Sequence, residues 1–178
     1  LGVDLTGANL ISANLAGADL VETVLDSADL SGASIAGATL SGASLKNSVL
    51  SGADLTSAKL INSDLTNADL TAAVLDSADL TGAIANGATM TKAILKGSDF
   101  SKADLGGATL TGADITNATL TRADLSSAEL TKTDLTGTDL TNTVFKKAIL
   151  TGAILDETDC TGADFSSADL VNSQILSA

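Results

Sequence analysis

Ala123-Asp124-Leu125-Ser126-Ser127-Ala128-Glu129-Leu130-Thr131-Lys132-Thr133-Asp134-Leu135 decides the fold, because one five-residue pattern repeats in it without a spacer. A small residue is followed by an acid, a leucine and two short polar or charged residues. Working outward in both directions, the same period runs unbroken through the 178-residue chain, with a centre position at 5, 10, 15 and so on to 175. Of these 35 centres, 26 are Leu, the others being Ile35, Ala85, Met90, Phe100, Ile115, Phe145, Cys160, Phe165 and Ile175. None is charged. Two residues before each centre stands Ala in most units, otherwise Ser, Thr or Val3.

Neither straight element satisfies this pattern. On a helix, five residues advance by about 140°, which scatters the leucines around the axis. On one long strand, centres five apart alternate between faces, so every second leucine is exposed. The chain must therefore turn once per unit. The small residue and the centre lie two apart, point to the same side of a short strand and form the core; the residue between them and the two after the centre are expected to face water. Glycine marks the turn. Fifteen of the sixteen Gly stand two residues after a centre, with Gly106 the exception, and Asn47, Asn62, Asn67, Asn117, Asn142 and Asn172 share that position. These residue types tolerate the positive φ that a type II turn requires there.

Composition narrows the function classes. Hydrophobic residues make up 44% of the chain but aromatics only 2%, and the net charge is −13. An acidic surface of that size repels phosphate backbones, so direct nucleic-acid binding is not expected. No apolar stretch reaches the roughly 20 residues of a membrane-spanning helix. With one Cys and neither His nor Tyr, the inventory for nucleophilic or acid-base catalysis is almost empty. Cys160 occupies a centre and reads as a buried thiol replacing leucine. No enzyme, cofactor or metal is expected.

The carboxylates remain. In a 20-residue register Asp104 and Asp124, Asp114 and Asp134, Asp79 and Asp99, and Asp139 and Asp159 stack in pairs, close enough for one to raise its neighbour's pKa, although solvated outward aspartates are the plainer expectation. A column of hydroxyls, Ser31, Ser51, Thr71, Thr91, Thr111, Thr131 and Thr151, suggests ice binding, against which charges such as Asp69 and Glu129 interrupt the same face. Ala85 leaves a gap in a column of leucines, with Met90 as a flexible filler, and Phe145 and Phe165 should stack. Val24 to Leu30 recurs word for word as Val74 to Leu80, fifty residues later.

Ala8-Asn9-Leu10-Ile11-Ser12, Ala18-Asp19-Leu20, Ala53-Asp54-Leu55 and Ala123-Asp124-Leu125 resemble the motif of the pentapeptide repeat family, and the resemblance covers the whole chain. It implies an all-β fold: a right-handed quadrilateral parallel β-helix of about nine coils, 20 residues each, as one solenoid domain over residues 1–178, taken from a longer precursor or larger chain. It also implies a non-catalytic scaffold for protein partners. The family's abundance in cyanobacteria and plastids makes an accessory or linker subunit of a photosynthetic, thylakoid-lumenal complex the specific case, with the cytoplasm as the other location. Some members are acidic rods that imitate DNA and inhibit type II topoisomerases. Those tend to carry Phe centres and a dimerising end, whereas this chain prefers Leu.

Irregular surface positions are where a partner would be recognised. The face with Asp54, Asp76, Asp114, Asp134, Asp156 and Glu157 is the most acidic, and Val74, Ile94 and Ile154 interrupt it. Val144, Ile149 and Ile154 form an apolar belt on three successive sides of one coil. Finally, a solenoid starting and stopping in register exposes leucine layers and strand edges, so a capping flank or an end-on partner is expected.

Overall fold

The structure, a computed structural model, describes residues 2–177; Leu1 and Ala178, between which the register begins and ends, lie outside the described residues. Every five-residue unit contributes one residue to a parallel bridge, the one just before the centre, and turns over the two residues after it. Each bridging residue pairs with the residue 20 further on, from Asp4 with Val24 to Ile154 with Gln174. Four units therefore make one coil. Side one runs through Asp4, Asp64 and Asp124; side two through Asn9, Thr89 and Ile149; side three through Asn14, Ile94 and Asp134; side four through Asp19, Asp79 and Asp139.

The backbone accounts for four of every five N–H groups. In one unit, Leu55 N–H donates to the Val74 carbonyl at 2.7 Å, Ser57 N–H to Asp76 at 2.9 Å, Ala58 N–H back to Leu55 at 2.9 Å across the turn, and Lys59 N–H down to Ala38 at 2.9 Å. The turn residue at Ser57's position keeps one conformation around the whole rod. From Gly7 to Ser177 every residue two after a centre has positive φ, 14 of them Gly and 21 not. Ala72, Arg122 and several Lys hold this left-handed conformation despite their side chains, a local cost of about 1 kcal/mol or more that the inter-coil bonds offset.

Inside the square, the centres from Leu25 to Leu155 are at most 2% exposed, as are the alanines beside them. Each buried leucine contributes about 2 kcal/mol by leaving water, and the same set recurs in every coil. Buried hydroxyls among the alanines are all engaged where bonds are seen: Ser48, Ser63 and Ser98 donate to the centre carbonyl of the preceding unit, while Thr133, Thr138 and Thr143 reach a carbonyl of the coil below. Phe145 and Phe165 stack with centroids 4.8 Å apart at 4°.

Ala85 is fully buried. Phe100 is a centre of the same coil, three corners further along the chain and so beside Ala85 around the square, and its larger ring, with Met90 at the next corner, offsets the volume missing at Ala85. Restoring Leu at Ala85 alone should overpack that coil and cost about 1–3 kcal/mol. The double change Ala85→Leu with Phe100→Leu should cost less than the two singles together. Denaturant melts of the three variants measure this coupling; strict additivity would mean the two positions do not share volume.

Two sequence expectations are corrected here. The residues directly after the centres are mostly half-buried, because stacked coils cover their flanks. Cys160 is also half-buried where a buried thiol was expected, since no coil lies over it among the described residues.

Candidate functional site

The fifth backbone N–H, on the residue after each centre, has no backbone partner and determines what the outward acids do. Asp139 Oδ1 accepts from Thr141 N–H at 2.9 Å, and Asp54, Asp64, Asp79, Asp99, Asp124 and Asp164 serve their own turns in the same way at 2.8–3.0 Å. Asn9 and Asn14 do it with an amide oxygen. The second carboxylate oxygen then reaches the coil below: Thr121 hydroxyl donates to Asp139 Oδ2 at 3.0 Å, and Lys46, Lys96 and Lys146 pair with Asp64, Asp114 and Asp164 at 3.2, 3.0 and 3.4 Å. In three units whose bridging residue is not an acid, an aspartate from the coil below takes over. Asp26 accepts from Lys46 N–H, Asp76 from Lys96 N–H and Asp156 from Leu176 N–H. The outward aspartates are thus turn caps first and surface charge second.

Their acidity follows from these bonds. The hydroxyl and the backbone N–H of Thr141 hold Asp139 below the usual carboxylate range, and Thr56 does the same for Asp54. At Asp114 desolvation pushes upward, but the donors Lys96 and Thr116 outweigh it and the group is lowered. The paired carboxylates are in bridge register as expected, yet Asp114, Asp139 and Asp159 are lowered, opposite to the expected mutual raising: at Asp159 the charge of Asp139 pushes up and is overcome by Thr161. Asp139→Ala should destabilise the rod by about 1 kcal/mol, the value of a lost terminal cap. Asp139→Asn, which keeps the accepting oxygen, should lose less than half of that in thermal melts; equal losses would assign the effect to charge.

The expected partner surface is assembled as follows. Val74, Ile94, Asp114, Asp134 and Ile154 stand in one unbroken column on side three, each bridged to the next. Ile94 is 38% exposed, and Val74 and Ile154 are half-buried. Asp156 lies beside this column but is committed to the Leu176 N–H and the Gln174 side chain, whereas Glu157 is exposed at the corner. Val144, Ile149 and Ile154 occupy three sides of one coil, with Ile149 the most open at 43%. The belt is bordered above and below by Asp124 and Asp164, Glu129 and Asp169, and Asp134 and Gln174. The hydroxyl column is half-buried, and Thr111 and Thr151 spend their hydroxyls on Glu129 and Asp169. An open cleft at one end is lined by Glu157, Thr158, Asp159, Cys160 and Thr161.

A coil of four five-residue turns around a leucine core defines a quadrilateral β-helix. The chain belongs to the pentapeptide repeat family: the family model "Pentapeptide repeats" matches residues 4–42, 33–71, 73–112, 109–146 and 145–175, eight copies in all, and the helix is right-handed as in that family. No curated protein matches the chain. Among solved structures it is similar to HetL, a pentapeptide repeat protein involved in heterocyst differentiation regulation from the cyanobacterium Nostoc sp. strain PCC 7120, at 32% identity over 96% of this chain and 84% of that one, with a TM-score of 0.42. A trypsin-treated form of QnrB1, a plasmid-mediated fluoroquinolone resistance protein, aligns over 98% of this chain and 90% of its own at 19% identity and a TM-score of 0.57, which bears on the fold alone. A pentapeptide repeat protein from the Arabidopsis thaliana thylakoid lumen shares 24% identity over 80% of this chain and 68% of its own, with a TM-score of 0.23.

Proposed function

We propose that this protein is a non-catalytic scaffold that presents side three of the rod to a protein partner. The observation that carries the reading is the column Val74, Ile94, Asp114, Asp134, Ile154. Its bridged, half-exposed aliphatics sit against the carboxylates of Asp114 and Asp134. A flat rigid face of this kind meets an apolar strip edged with basic residues and loses little conformational entropy on binding. An accessory or linker subunit of a photosynthetic assembly is the specific case that the family resemblance suggests.

Cap chemistry supplies a clean test. Because an asparagine caps the turn as an aspartate does, Asp114→Asn with Asp134→Asn removes two charges from the face and keeps its backbone. With the full chain as bait, the wild type should capture a protein partner, and the double variant should hold that partner at least ten-fold more weakly with its melting temperature within a few degrees. Capture unchanged by these changes and by Ile94→Ser would place the partner elsewhere. Recovery of none would count against a scaffold. An acidic imitation of duplex DNA is the second reading, favoured by the acids stacked on side three. It requires inhibition of gyrase supercoiling at micromolar protein, and inhibition abolished by the same double variant.

A further inference from the structure

The recurrence of Val24 to Leu30 as Val74 to Leu80 carries a set of contacts with it. In the first copy Asp26 accepts from the Lys46 N–H at 3.0 Å, Lys46 Nζ pairs with Asp64 at 3.2 Å, and Asp64 accepts from the N–H and the hydroxyl of Thr66. In the second, Asp76 accepts from the Lys96 N–H at 3.1 Å, Lys96 Nζ pairs with Asp114 at 3.0 Å, and Asp114 accepts from the N–H and the hydroxyl of Thr116. Every member is displaced by the same interval of fifty residues. A half-buried valine heads each column: Val24 bridges through Ser44 to Asp64, and Val74 through Ile94 to Asp114. A third ion pair, Lys146 with Asp164, keeps the interval, but Asp124 and Ser126 stand where the valine and the capping aspartate would be. With 20 residues to a coil, this interval is half a turn beyond two full coils, which at about 4.8 Å per coil is about 12 Å along the axis. The first column therefore lies on side one and the second on side three, back to back across the core. The fold does not demand the repetition, since the outward position before a centre holds Asp, Asn, Ser, Thr, Val, Ile, Lys or Glu elsewhere in the chain.

We infer that the rod is bivalent: side one carries, at Val24, Lys46 and Asp64, a second docking site for the partner chemistry that side three takes, an apolar strip edged with basic residues. This rests on the reading of side three as a docking face. Each site sets an aliphatic side chain beside two carboxylates and one ammonium, so a basic-edged strip is matched in charge at both. Both corners are open, the Lys46 side chain being 47% exposed and that of Lys96 54%. Ser44 stands where side three has the 38% exposed Ile94, so side one is the weaker site. Two partners on opposite faces are kept apart by the width of the rod, and the chain joins two copies of one protein. Partners that are themselves linked are then held with an avidity that neither site has alone.

The probe is a synthetic peptide of about ten residues that alternates valine and lysine, titrated calorimetrically into the full chain at about 0.15 M salt, where charges more than about 8 Å apart are screened. Two peptides should bind per rod, one several-fold more weakly than the other. Val24→Ser with Asp64→Asn should remove the weaker site and Val74→Ser with Asp114→Asn the tighter, each leaving one peptide per rod, and the four changes together should leave none. Serine already bridges at Ser34 and Ser44 and asparagine keeps the capping oxygen, so melting temperatures should stay within a few degrees. One peptide per rod, abolished by the side-three pair and untouched by the side-one pair, overturns bivalency and leaves the side-three reading standing. No binding at millimolar peptide overturns both. Binding of many peptides that ignores all four changes would be attraction to net charge alone, and overturns the second site. Should a pair of changes unfold the rod, Asp64→Asn and Asp114→Asn singly should each weaken their own site about ten-fold, and a single change that weakens neither overturns that site.

Discussion

Leu75→Ala lowers the stability of the rod by about 3–4 kcal/mol, within the range for buried leucine truncations. Leu75 is fully buried on side three, between Leu55 and Leu95 in the coils below and above. The rigid backbone ladder on every side prevents the coils from closing over the space, so both the lost transfer energy and a cavity are felt. Leu10→Ala, in a half-buried first-coil position, costs about 1 kcal/mol because solvent fills much of what is removed. The same chemistry thus differs several-fold with height along the axis, as expected when stability is a chain of nearest-neighbour interfaces. The middle variant also broadens the transition, since a weakened coil lets the two halves melt separately. Urea unfolding of both variants measures each effect. Equal losses from Leu10 and Leu75 would contradict a core shared from coil to coil.

The core was legible from sequence because it is constrained twice: side-chain size at the centre and at the small position, and backbone freedom at the turn. Glycine and asparagine at 20 of the 35 turn positions therefore marked the turn within the five-residue frame, and the unbroken period carried it to the rest. What the five-residue frame hid is visible at a spacing of twenty. Asn62, Asn67, Asn117 and Asn142 each have glycine directly above, at Gly82, Gly87, Gly137 and Gly162, where an added Cβ would lie 2.5–2.7 Å from the Asn oxygen. These glycines make room for a side chain as well as for a positive φ, whereas Gly37 has open space around it. Gly106, the exception in the frame, lies over Asn86, whose oxygen would sit 3.1 Å from a Cβ there. Capping was hidden for a different reason. An aspartate on a solvent-facing position reads as charge, and only the orphan N–H two residues on shows that the oxygen is already taken. The partner surface is less legible than either, because nothing about a half-exposed valine or isoleucine in a strand distinguishes a docking residue from a good bridge former.

Below about pH 4 the rod loses stability. The capped acids, among them Asp54, Asp114, Asp139 and Asp164, have folded pKa values lowered from the ordinary 3.8 by donated hydrogen bonds. A lowered folded value means that the unfolded chain binds protons first. The stabilisation is therefore complete above the unfolded pKa and is lost as pH falls through the folded one. An opposing effect comes from the charge of −13, whose self-repulsion is relieved as the acids protonate. At 0.15 M salt charges more than about 8 Å apart are screened, while each cap acts at hydrogen-bond distance, so loss of the caps prevails and the melting temperature falls. With no His in the chain, the surface charge and the melting temperature stay level between about pH 5 and 8. Replacing Asp54, Asp139 and Asp164 together by Asn keeps the accepting oxygens and removes their protonation, so that variant should fall less steeply in acid than the wild type. A wild-type melting temperature at pH 3 equal to that at pH 7 would show that the carboxylates do not hold the turns. It would also return them to the role first assigned to them, that of surface charge alone.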